Sequence, residues 1–453
     1  MKYKKYLKYK SSGIEWLGEI PEHWEVRRLK FILNERKILN KNKKIKKILS
    51  LSMYEGVIPY DERELKGGNK AKEDISLYKI VYPGDIVVNS MNIIAGSVGI
   101  SKYQGIVSPV YYMLYPISNN VFNIFYYYMF RSSSFQKSLF GLGNGILFKE
   151  SSSGKLNTIR LRISMESLGN VILPLPPLSE QKAIALFLDK ATEKIDNLIQ
   201  KEEELIKLLE EKKEALITKA VTKGLNEKAK MKDSGIEWLG KIPEHWKVRK
   251  LKYLINGKLQ YGANESGQTY NPNLPRYIRI TDFDQNGKLA NKNKLSLSWE
   301  KAKNYLLKKG DVLFARSGAT VGKTFQFNPE KLEDKYYAFA GYLIKAEPNK
   351  KIITSDFLYF FTTSKAYKNW KDYIFSKSTI ENIGADKYSE LILPLPPLQE
   401  QKAIAKYLDK KLAKIDKLIE KSKKTIELLK EKKEALITNA VTGKIDVREN
   451  YEA

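Results

Sequence analysis

The residues Gly318 to Thr324, GATVGKT, come closest in this sequence to a known catalytic pattern. A phosphate-binding P-loop has four residues between its two glycines, so that backbone amides curl around the phosphates. Here only three residues separate Gly318 from Gly322, and Ser317 stands where the first glycine is required. The spacing argues against nucleotide binding and favours a basic, flexible turn.

Other patterns that carry chemistry are missing from the sequence. The only histidines, His23 and His245, lie in separate Pro-Glu-His-Trp segments, whereas a zinc site needs three or four convergent ligands. We interpret each as a packed imidazole beside a tryptophan. No glycine-rich methyltransferase loop and no Asn/Asp-Pro-Pro-aromatic motif is present, and the charged run at 431–434 is typical of a solvated helix face. The sequence predicts neither a catalytic nor a metal site.

Charge is the strongest compositional signal. The 453 residues include 80 Lys+Arg against 52 Asp+Glu, a net charge of +28, which predicts a polyanionic partner with nucleic acid as the first candidate. The longest apolar runs, 110–117 and 121–130, are shorter than the ~18 residues of a membrane-spanning helix. There is no cysteine. We therefore expect a cytoplasmic protein without membrane attachment or disulfides.

Two long segments occur twice and must position any functional loops. Residues 173–222 return as 393–442 with 35 of 50 positions identical, and residues 12–33 return as 234–255. Each half thus contains an opening segment, a variable block, a proline run and a long helix. The predicted order is a basic tail at 1–11, a first domain at 12–170, a proline run and helix at 171–222, a linker at 223–233, a second domain at 234–390, a proline run and helix at 391–443, and a tail at 444–453.

Apolar residues in each long helix recur three or four positions apart, as a helix that packs against a partner helix requires. The pattern breaks near Glu202 and Lys212 and, in the second copy, at Ser422 and Lys432. The obvious partner of each helix is the other copy. The predicted seam consists of Ile184, Leu188, Ile195, Leu198, Leu205, Leu209, Leu216, Ile404, Leu408, Ile415, Leu418, Leu429 and Leu436.

The two variable blocks differ in sequence but keep the same order of features. Short strand-like runs with glycine turns come first, including GDIVV at 84–88 and GDVLF at 310–314, and an aromatic helical segment follows. This order predicts an α+β scaffold with two different surfaces.

The repeated SGIEWLGxIPEHW and LPLPPLxEQKAIA motifs, flanking two divergent blocks over nearly the whole chain, resemble the specificity subunit of type I restriction-modification enzymes. The resemblance implies an α+β fold, with two pseudo-twofold-related target-recognition domains separated by two long antiparallel coiled-coil helices. It also implies that each domain reads half of a bipartite site in double-stranded DNA. The implied partners are two modification (adenine methyltransferase) subunits and restriction subunits, so S-adenosylmethionine, ATP and Mg²⁺ are expected in those partners and no cofactor in this chain.

Polar residues in predicted loops are the candidates for DNA contact. Arg316 is the leading one because arginine donates two hydrogen bonds to a guanine edge, although contact with a phosphate is an equally good interpretation. The candidates are Ser52, Tyr54, Asn89, Ser90, Asn92 and Ser97 in the first block, and Arg276, Arg279, Arg316, Ser317, Thr320 and Lys323 in the second.

Different functions remain open from sequence. A coiled-coil adaptor explains the helices but not the charge of +28. A stand-alone sequence-specific DNA-binding regulator explains the charge but needs no exposed apolar surface for large partners. An enzyme with its own methyltransferase is disfavoured by the missing motifs.

Overall fold

The structure is a computed structural model that describes residues 3–448, apart from 53–55, 63–73, 147–148, 151–155, 158–159, 284–288 and 377–381. The chain forms two compact units. The first unit contains residues 1–202 and 424–453, and the second unit contains residues 203–423. No helix in the described part of the chain is long and apolar enough to cross a membrane.

The first unit combines short strands and short helices, in agreement with the predicted α+β class. Its strands are Tyr9–Ser11, Glu19–Pro21, Glu25–Arg28, Leu33–Glu35, Leu49–Ser52, Gly56–Pro59, Lys79–Val81, Ile86–Asn89, Val98–Ile100, Gly105–Val107, Tyr111–Pro116, Asn144–Ile146, Lys149–Glu150, Leu156–Asn157, Arg160–Arg162 and Ile172–Leu175. Its short helices are Asn123–Arg131, Ser133–Ser138 and Met165–Gly169, and its 3₁₀ turns are Leu29–Phe31, Tyr60–Glu62, Ile93–Ala95 and Phe140–Leu142.

The second unit repeats this plan with additions. Its strands are Met231–Asp233, Lys241–Pro243, Lys247–Lys250, Gln260–Tyr261, Gln268–Thr269, Arg276–Ile278, Leu295–Ser296, Val312–Ala315, Thr324–Gln326, Tyr337–Phe339, Leu343–Ala346 and Ile392–Leu395. Its short helices are Trp299–Ala302, Ser355–Thr362, Lys365–Ser376 and Ala385–Ser389, and its 3₁₀ turns are Leu251–Tyr253, Ile280–Asp282, Gly318–Thr320 and Pro329–Lys331.

Both units contain a four-stranded antiparallel sheet with the same strand order. A helix packs on the last strand of each sheet. The buried apolar strands Ile86–Asn89 and Val312–Ala315 occupy equivalent places, so the prediction of a shared scaffold is confirmed. The order is Leu33–Glu35, Tyr111–Pro116, Ile86–Asn89, Val98–Ile100 in the first unit and Gln260–Tyr261, Leu343–Ala346, Val312–Ala315, Thr324–Gln326 in the second.

The units differ around this sheet, as the divergent blocks predict. The second unit adds a four-stranded mixed sheet in which Arg276–Ile278 runs parallel to Tyr337–Phe339. In the first unit, Leu49–Ser52 instead pairs with Gly56–Pro59 in a separate two-stranded sheet. The same scaffold therefore carries different local structure in its two copies.

The repeated segments pair with each other in both units. Glu25–Arg28 is antiparallel to Ile172–Leu175, and Lys247–Lys250 is antiparallel to Ile392–Leu395. Each proline run thus begins as a strand in a two-stranded sheet. Such a strand has a hydrogen-bonding neighbour on one side only, so the missing backbone N–H of proline is tolerated.

Residues 3–11 pack against the first unit, whereas we predicted a separate basic tail at 1–11. Tyr6 is buried, Tyr9–Ser11 pairs with Glu19–Pro21, and Lys4 forms an antiparallel bridge with Asp446. The tyrosines between the lysines supply apolar surface, which is why this basic segment packs against the first unit.

The first long helix is Leu178–Lys223 and the second is Leu398–Val441. Gly224 and Gly443 follow the helix ends with φ of +75° and +72°, a left-handed conformation that terminates helices. In the first unit, residues 184–199 pack with residues 429–441; in the second, residues 206–216 pack with residues 415–419 and residues 217–221 with residues 404–412. Numbers rise along one helix as they fall along the other, so the predicted antiparallel packing is confirmed.

Three predicted seam residues are wrong. Leu198, Leu205 and Leu418 are exposed, and the neighbouring isoleucines, one position later, turn towards the packed side. The remaining predicted residues lie on the buried or half-buried side of the helices, namely Ile184, Leu188, Ile195, Leu209, Leu216, Ile404, Leu408, Ile415, Leu429 and Leu436.

The second polar break in each helix is also shifted by one residue, from the predicted Lys212 and Lys432 to Lys213 and Lys433. In the second unit the Lys213 ammonium lies 2.7 Å from the Asp416 carboxylate. In the first unit Lys433 lies 2.6 Å from Asp196. These equivalent ion pairs show that the antiparallel packing has the same register in each unit.

Candidate nucleic-acid interface

Most candidate residues fall on one equivalent loop of each unit. This loop joins the second and third strands of the shared sheet in chain order and spans residues 90–97 in the first unit and 316–323 in the second. It connects two antiparallel strands through a single 3₁₀ turn. A P-loop opens an α-helix instead, so the geometry in the second unit supports the rejection of nucleotide binding.

Two serines of the first loop are wrong as candidates for base contact. Ser90 is buried, and its hydroxyl donates to the Val110 carbonyl at 2.7 Å. Ser97 is also buried, and its carbonyl accepts the Asn89 N–H at 3.1 Å. The Ser90 hydroxyl is thus already bonded to a backbone carbonyl outside the loop, and burial keeps both serines away from DNA.

The remaining candidates of the first unit lie at or near its surface. Asn89 and Asn92 are half-buried, and the Asn89 carboxamide oxygen accepts the Met91 N–H at 3.0 Å. Ser52 is half-buried at the end of the strand Leu49–Ser52. Tyr54 lies outside the described residues. The structure therefore brings Asn89 and Asn92 together and leaves Ser52 on a different sheet.

Arg276 in the second unit is wrong as a DNA-contacting residue. Its side chain is 1% exposed and donates to Asn291 Oδ1 at 3.0 Å, to Asp334 Oδ2 at 3.4 Å and to the Ala290 carbonyl. A buried guanidinium needs such partners, because an unpaired buried charge is very costly. Arg279 is held in a similar way, since it donates to Asp282 Oδ1 at 2.8 Å.

Four second-unit candidates do come together on one loop. Arg316, Ser317, Thr320 and Lys323 are all half-buried. The Arg316 guanidinium lies over the Tyr261 ring at 5.1 Å, and the Tyr261 hydroxyl accepts the Ala385 N–H at 2.9 Å. Among the described residues, no acceptor pairs with Arg316 Nε, which is buried. The tyrosine therefore orients a guanidinium whose hydrogen bonds are still available.

One backbone contact identifies residues that the sequence interpretation missed. In the second unit the Ile383 N–H donates to the Arg316 carbonyl at 2.9 Å, and in the first the Ile163 N–H donates to the Ser90 carbonyl at 3.0 Å. We call this contact the loop bridge. It places Asn382 beside Arg316 and Arg162 beside Ser90. Arg162 and Asn382 lie far along the chain from the loops. In the sequence they could be found only by aligning the two copies, in which they precede the equivalent residues Ile163 and Ile383.

Each histidine binds the first turn of a long helix. Trp24 Nε1 donates to Glu180 at 2.9 Å and His23 Nε2 lies 2.5 Å from the same carboxylate. In the second unit Trp246 Nε1 donates to Glu400 at 3.1 Å, and His245 Nε2 lies 2.9 Å from it. The interpretation of the histidines as packed anchors agrees with this geometry, which connects the opening segment to the helix that follows the proline run.

The glutamine after each glutamate completes this connection. Gln181 is fully buried, and its carboxamide accepts the Phe122 N–H at 2.8 Å and donates to the carbonyls of Asn120 and Pro176. Gln401 makes the equivalent bonds to the Thr354 N–H and to the carbonyls of Ile352 and Pro396. The Glu-Gln pair therefore connects the start of each helix to the rest of its own unit.

The first unit adds groups from both ends of the chain to this anchor. The Tyr6 hydroxyl donates to Glu180 at 3.2 Å, and Arg448 lies 3.5 Å from the same carboxylate. Burial and the nearby Glu180 charge raise the pKa of the Tyr6 phenol well above its ordinary value. The hydrogen bond to Asp446 raises the pKa of Arg448, which therefore stays charged. The two chain ends thus cover the buried glutamate.

Comparison with known proteins gives one family match for each copy of this repeated architecture. The family model described as "Type I restriction modification DNA specificity domain" matches residues 21–208 and again residues 243–428. The chain belongs to the family of type I restriction-modification specificity subunits. It is therefore the DNA-specificity component, not the catalytic one.

Two of the relatives match over nearly their whole length. The type I restriction enzyme MjaVIII specificity subunit of Methanocaldococcus jannaschii is 26% identical, over 95% of this chain and 94% of that protein. The putative MjaX specificity subunit of the same organism is 28% identical, over 95% and 96%. A solved chain from work on complex assembly and conformational transition of the type I R-M system has a TM-score of 0.68, with 16% identity over 93% of this chain and 98% of that chain. This last likeness supports the fold.

Proposed function

We propose that this chain reads a bipartite, gapped site in double-stranded DNA, one half with each unit, and docks modification and restriction subunits. The observation that carries the proposal is the repetition of one sheet with one loop bridge, on which the exposed side chains differ. Equivalent sheets that carry different exposed side chains fit two different half-sites. The net charge of +28 supplies the attraction to phosphates that any such reading requires.

Exposed leucines on the long helices support docking of modification subunits. In the first unit Leu198 is 49% exposed and Leu428 is 55% exposed. In the second unit the equivalent residues are Leu418 at 51% and Leu208 at 61%. Each unit therefore presents one matched leucine pair outside the packed seam. Two equivalent apolar pairs fit two copies of one partner, and S-adenosylmethionine, ATP and Mg²⁺ belong to the partner subunits in this proposal.

Coexpression with the modification subunits from the same operon tests the reading function. The purified complex should methylate adenines in a motif with two fixed half-sites and an unspecified gap, detected by sequencing modified bases in plasmid DNA. Exchange of residues 34–170 for the block of a related subunit should change one half of the motif and leave the other. A change in both halves together would contradict independent reading, and stable sequence-specific binding without any methylating complex would favour a stand-alone regulator.

Native mass spectrometry tests the docking surface. Leu208→Asp with Leu418→Asp should remove one modification subunit from the complex, because a carboxylate in an apolar contact loses its hydration. Lys207→Asp with Lys417→Asp changes charge at neighbouring exposed positions and serves as the control. Full occupancy by two modification subunits in the leucine variant would refute this location.

A further inference from the structure

In each unit one arginine lies at the loop bridge. It lies on the loop in the second unit and on the segment opposite the loop in the first. In the second unit Arg316 is the residue whose carbonyl accepts the bridge, and in the first unit Arg162 directly precedes the donor Ile163. The residue across the bridge is uncharged in both units: it is Asn382 for Arg316 and Ser90 for Arg162. We propose that Arg316 and Arg162 are the guanine-reading residues of the two half-sites. This inference rests on the proposed DNA-reading function.

The first argument is that both arginines remain available to a ligand. Arg162 is exposed and has no ion pair or side-chain hydrogen bond with the described residues. Arg316 has no such bond either, and its Nε is buried without an acceptor. Arg276 and Arg279, by contrast, pair with Asp334 and Asp282, although the Arg276 Nε also has no acceptor among the described residues. With no acid partner among the described residues, each of these two arginines on a strongly basic protein can donate hydrogen bonds to nucleic acid.

The second argument is that Arg316 is oriented without being neutralised. The Tyr261 ring lies under its guanidinium at 5.1 Å, and the tyrosine is itself fixed by the Ala385 N–H at 2.9 Å. This cation–π contact restricts the guanidinium while leaving its hydrogen-bond donors unpaired. In-plane donors are what the O6 and N7 atoms of guanine accept in the major groove. Tyr261 is therefore a positioning residue.

The third argument concerns the neighbour of Arg316. The Asn382 carboxamide oxygen is buried and has no partner among the described residues, and Asn382 forms a β-bridge with Ser317. Two unpartnered polar atoms, one donor and one acceptor, thus occur on adjacent segments. Buried polar atoms are normally satisfied, and a ligand that reaches these two bridged segments would complete the hydrogen bonding of both atoms.

The test uses the assembled methylating complex and starts from the wild-type motif. Arg316→Lys should relax one fixed guanine in one half-site, and Arg162→Lys should relax one in the other half-site, because the lysine ammonium lacks the rigid planar fork of arginine. Discrimination at that guanine should fall from roughly 5- to 150-fold towards unity. Arg249→Lys, an exposed arginine on the strand Lys247–Lys250, is the matched control and should leave the motif unchanged.

Modified duplexes and tyrosine variants locate the contact. A duplex with 7-deazaguanine at the relaxed position lacks N7 and should bind the wild-type complex more weakly, yet bind the Arg316→Lys complex as well as unmodified DNA. Tyr261→Leu should reduce discrimination at the same guanine, whereas Tyr261→Phe keeps the ring and should retain it. Loss of thermal stability alone would not produce this position-specific effect.

The outcomes separate this inference from the function on which it rests. If the wild-type complex methylates no bipartite motif, the proposed function fails. If it does, but the arginine variants weaken binding equally at all sequences, the arginines contact phosphates and the inference is overturned. An unchanged motif in both variants overturns it as well.

Discussion

Deletion of seven residues from both long helices tests whether they set the length of the DNA gap. We choose Ile199–Leu205 and Ile419–Thr425, because their removal keeps all four exposed leucines of the proposed docking pairs. It also keeps the 4-3 spacing of the packed residues, since Ile206 follows Ile195 at the distance that Ile199 had, and both seam ion pairs remain.

The magnitude follows from helix geometry. Seven residues at 1.5 Å each shorten a helix by about 10.5 Å, which is roughly three base pairs at 3.4 Å. Three base pairs also rotate a half-site by nearly a third of a turn, given about 10.5 base pairs per turn. The double deletant should therefore methylate the same half-sites across a gap about three base pairs shorter, or lose methylation while remaining folded.

The matched control deletes Ile199–Leu205 alone. Asp196 and Lys213 are 213 − 196 = 17 residues apart, and their partners Lys433 and Asp416 are 433 − 416 = 17 residues apart. A single deletion makes these separations 10 and 17. The two ion pairs then cannot form at the same time, so the melting temperature should fall. Methylated motifs are determined by sequencing and folding by circular dichroism. A folded double deletant that still methylates the original motif at the original gap would refute the idea that these helices set the distance.

Three further predictions concern stability. Glu400→Ala should cost about 1–3 kcal/mol in urea unfolding, because the buried Trp246 indole N–H loses its acceptor; the exposed Glu420→Ala is the control. Arg276→Met should cost about 3–5 kcal/mol, since it leaves a carboxylate buried and less well paired, and thermal melting of the intact chain measures this. Burial raises the pKa of Asp334, but hydrogen bonds from a tyrosine and a lysine and nearby cations outweigh burial and hold it below the ordinary 3.8. Its contribution to stability is thus present above pH 3.8 and lost as the pH falls through the lowered pKa, so Asp334→Asn should flatten the unfolding free energy over that acid range.

Because the chain is duplicated, its fold was predictable from sequence. Which residues of the long helices face inwards was not. Long identical segments imply two equivalent units, and their periodicity implies helices that pack together. At 198–199, 205–206 and 418–419, however, a leucine precedes an isoleucine, and both residues are equally hydrophobic. Only the packed geometry shows that Ile199, Ile206 and Ile419 face inwards.

The candidate interface was predictable at the level of loops and not of side chains. Arg276 and Arg316 are indistinguishable by residue type, yet Arg276 meets Asp334, which lies 58 residues further along the chain. No local pattern announces such a partner. Arg162 was missed because it is distant in sequence from the loop at 90–97. Only a single backbone hydrogen bond between the two segments brings it there.

The two copies also show which exposed positions share a role. Neighbouring exposed residues on the helices have changed between copies, with Glu203 matched by Lys423 and Lys207 by Glu427, both reversals of charge. Leu198 and Leu208 nevertheless recur as Leu418 and Leu428, although an exposed leucine gains nothing from packing within the chain. Other exposed leucines did change between the copies, since Leu186 and Leu205 are matched by Lys406 and Thr425. Identity at the leucines therefore points to a partner that both units share, and difference at the loop bridges points to targets that they do not share.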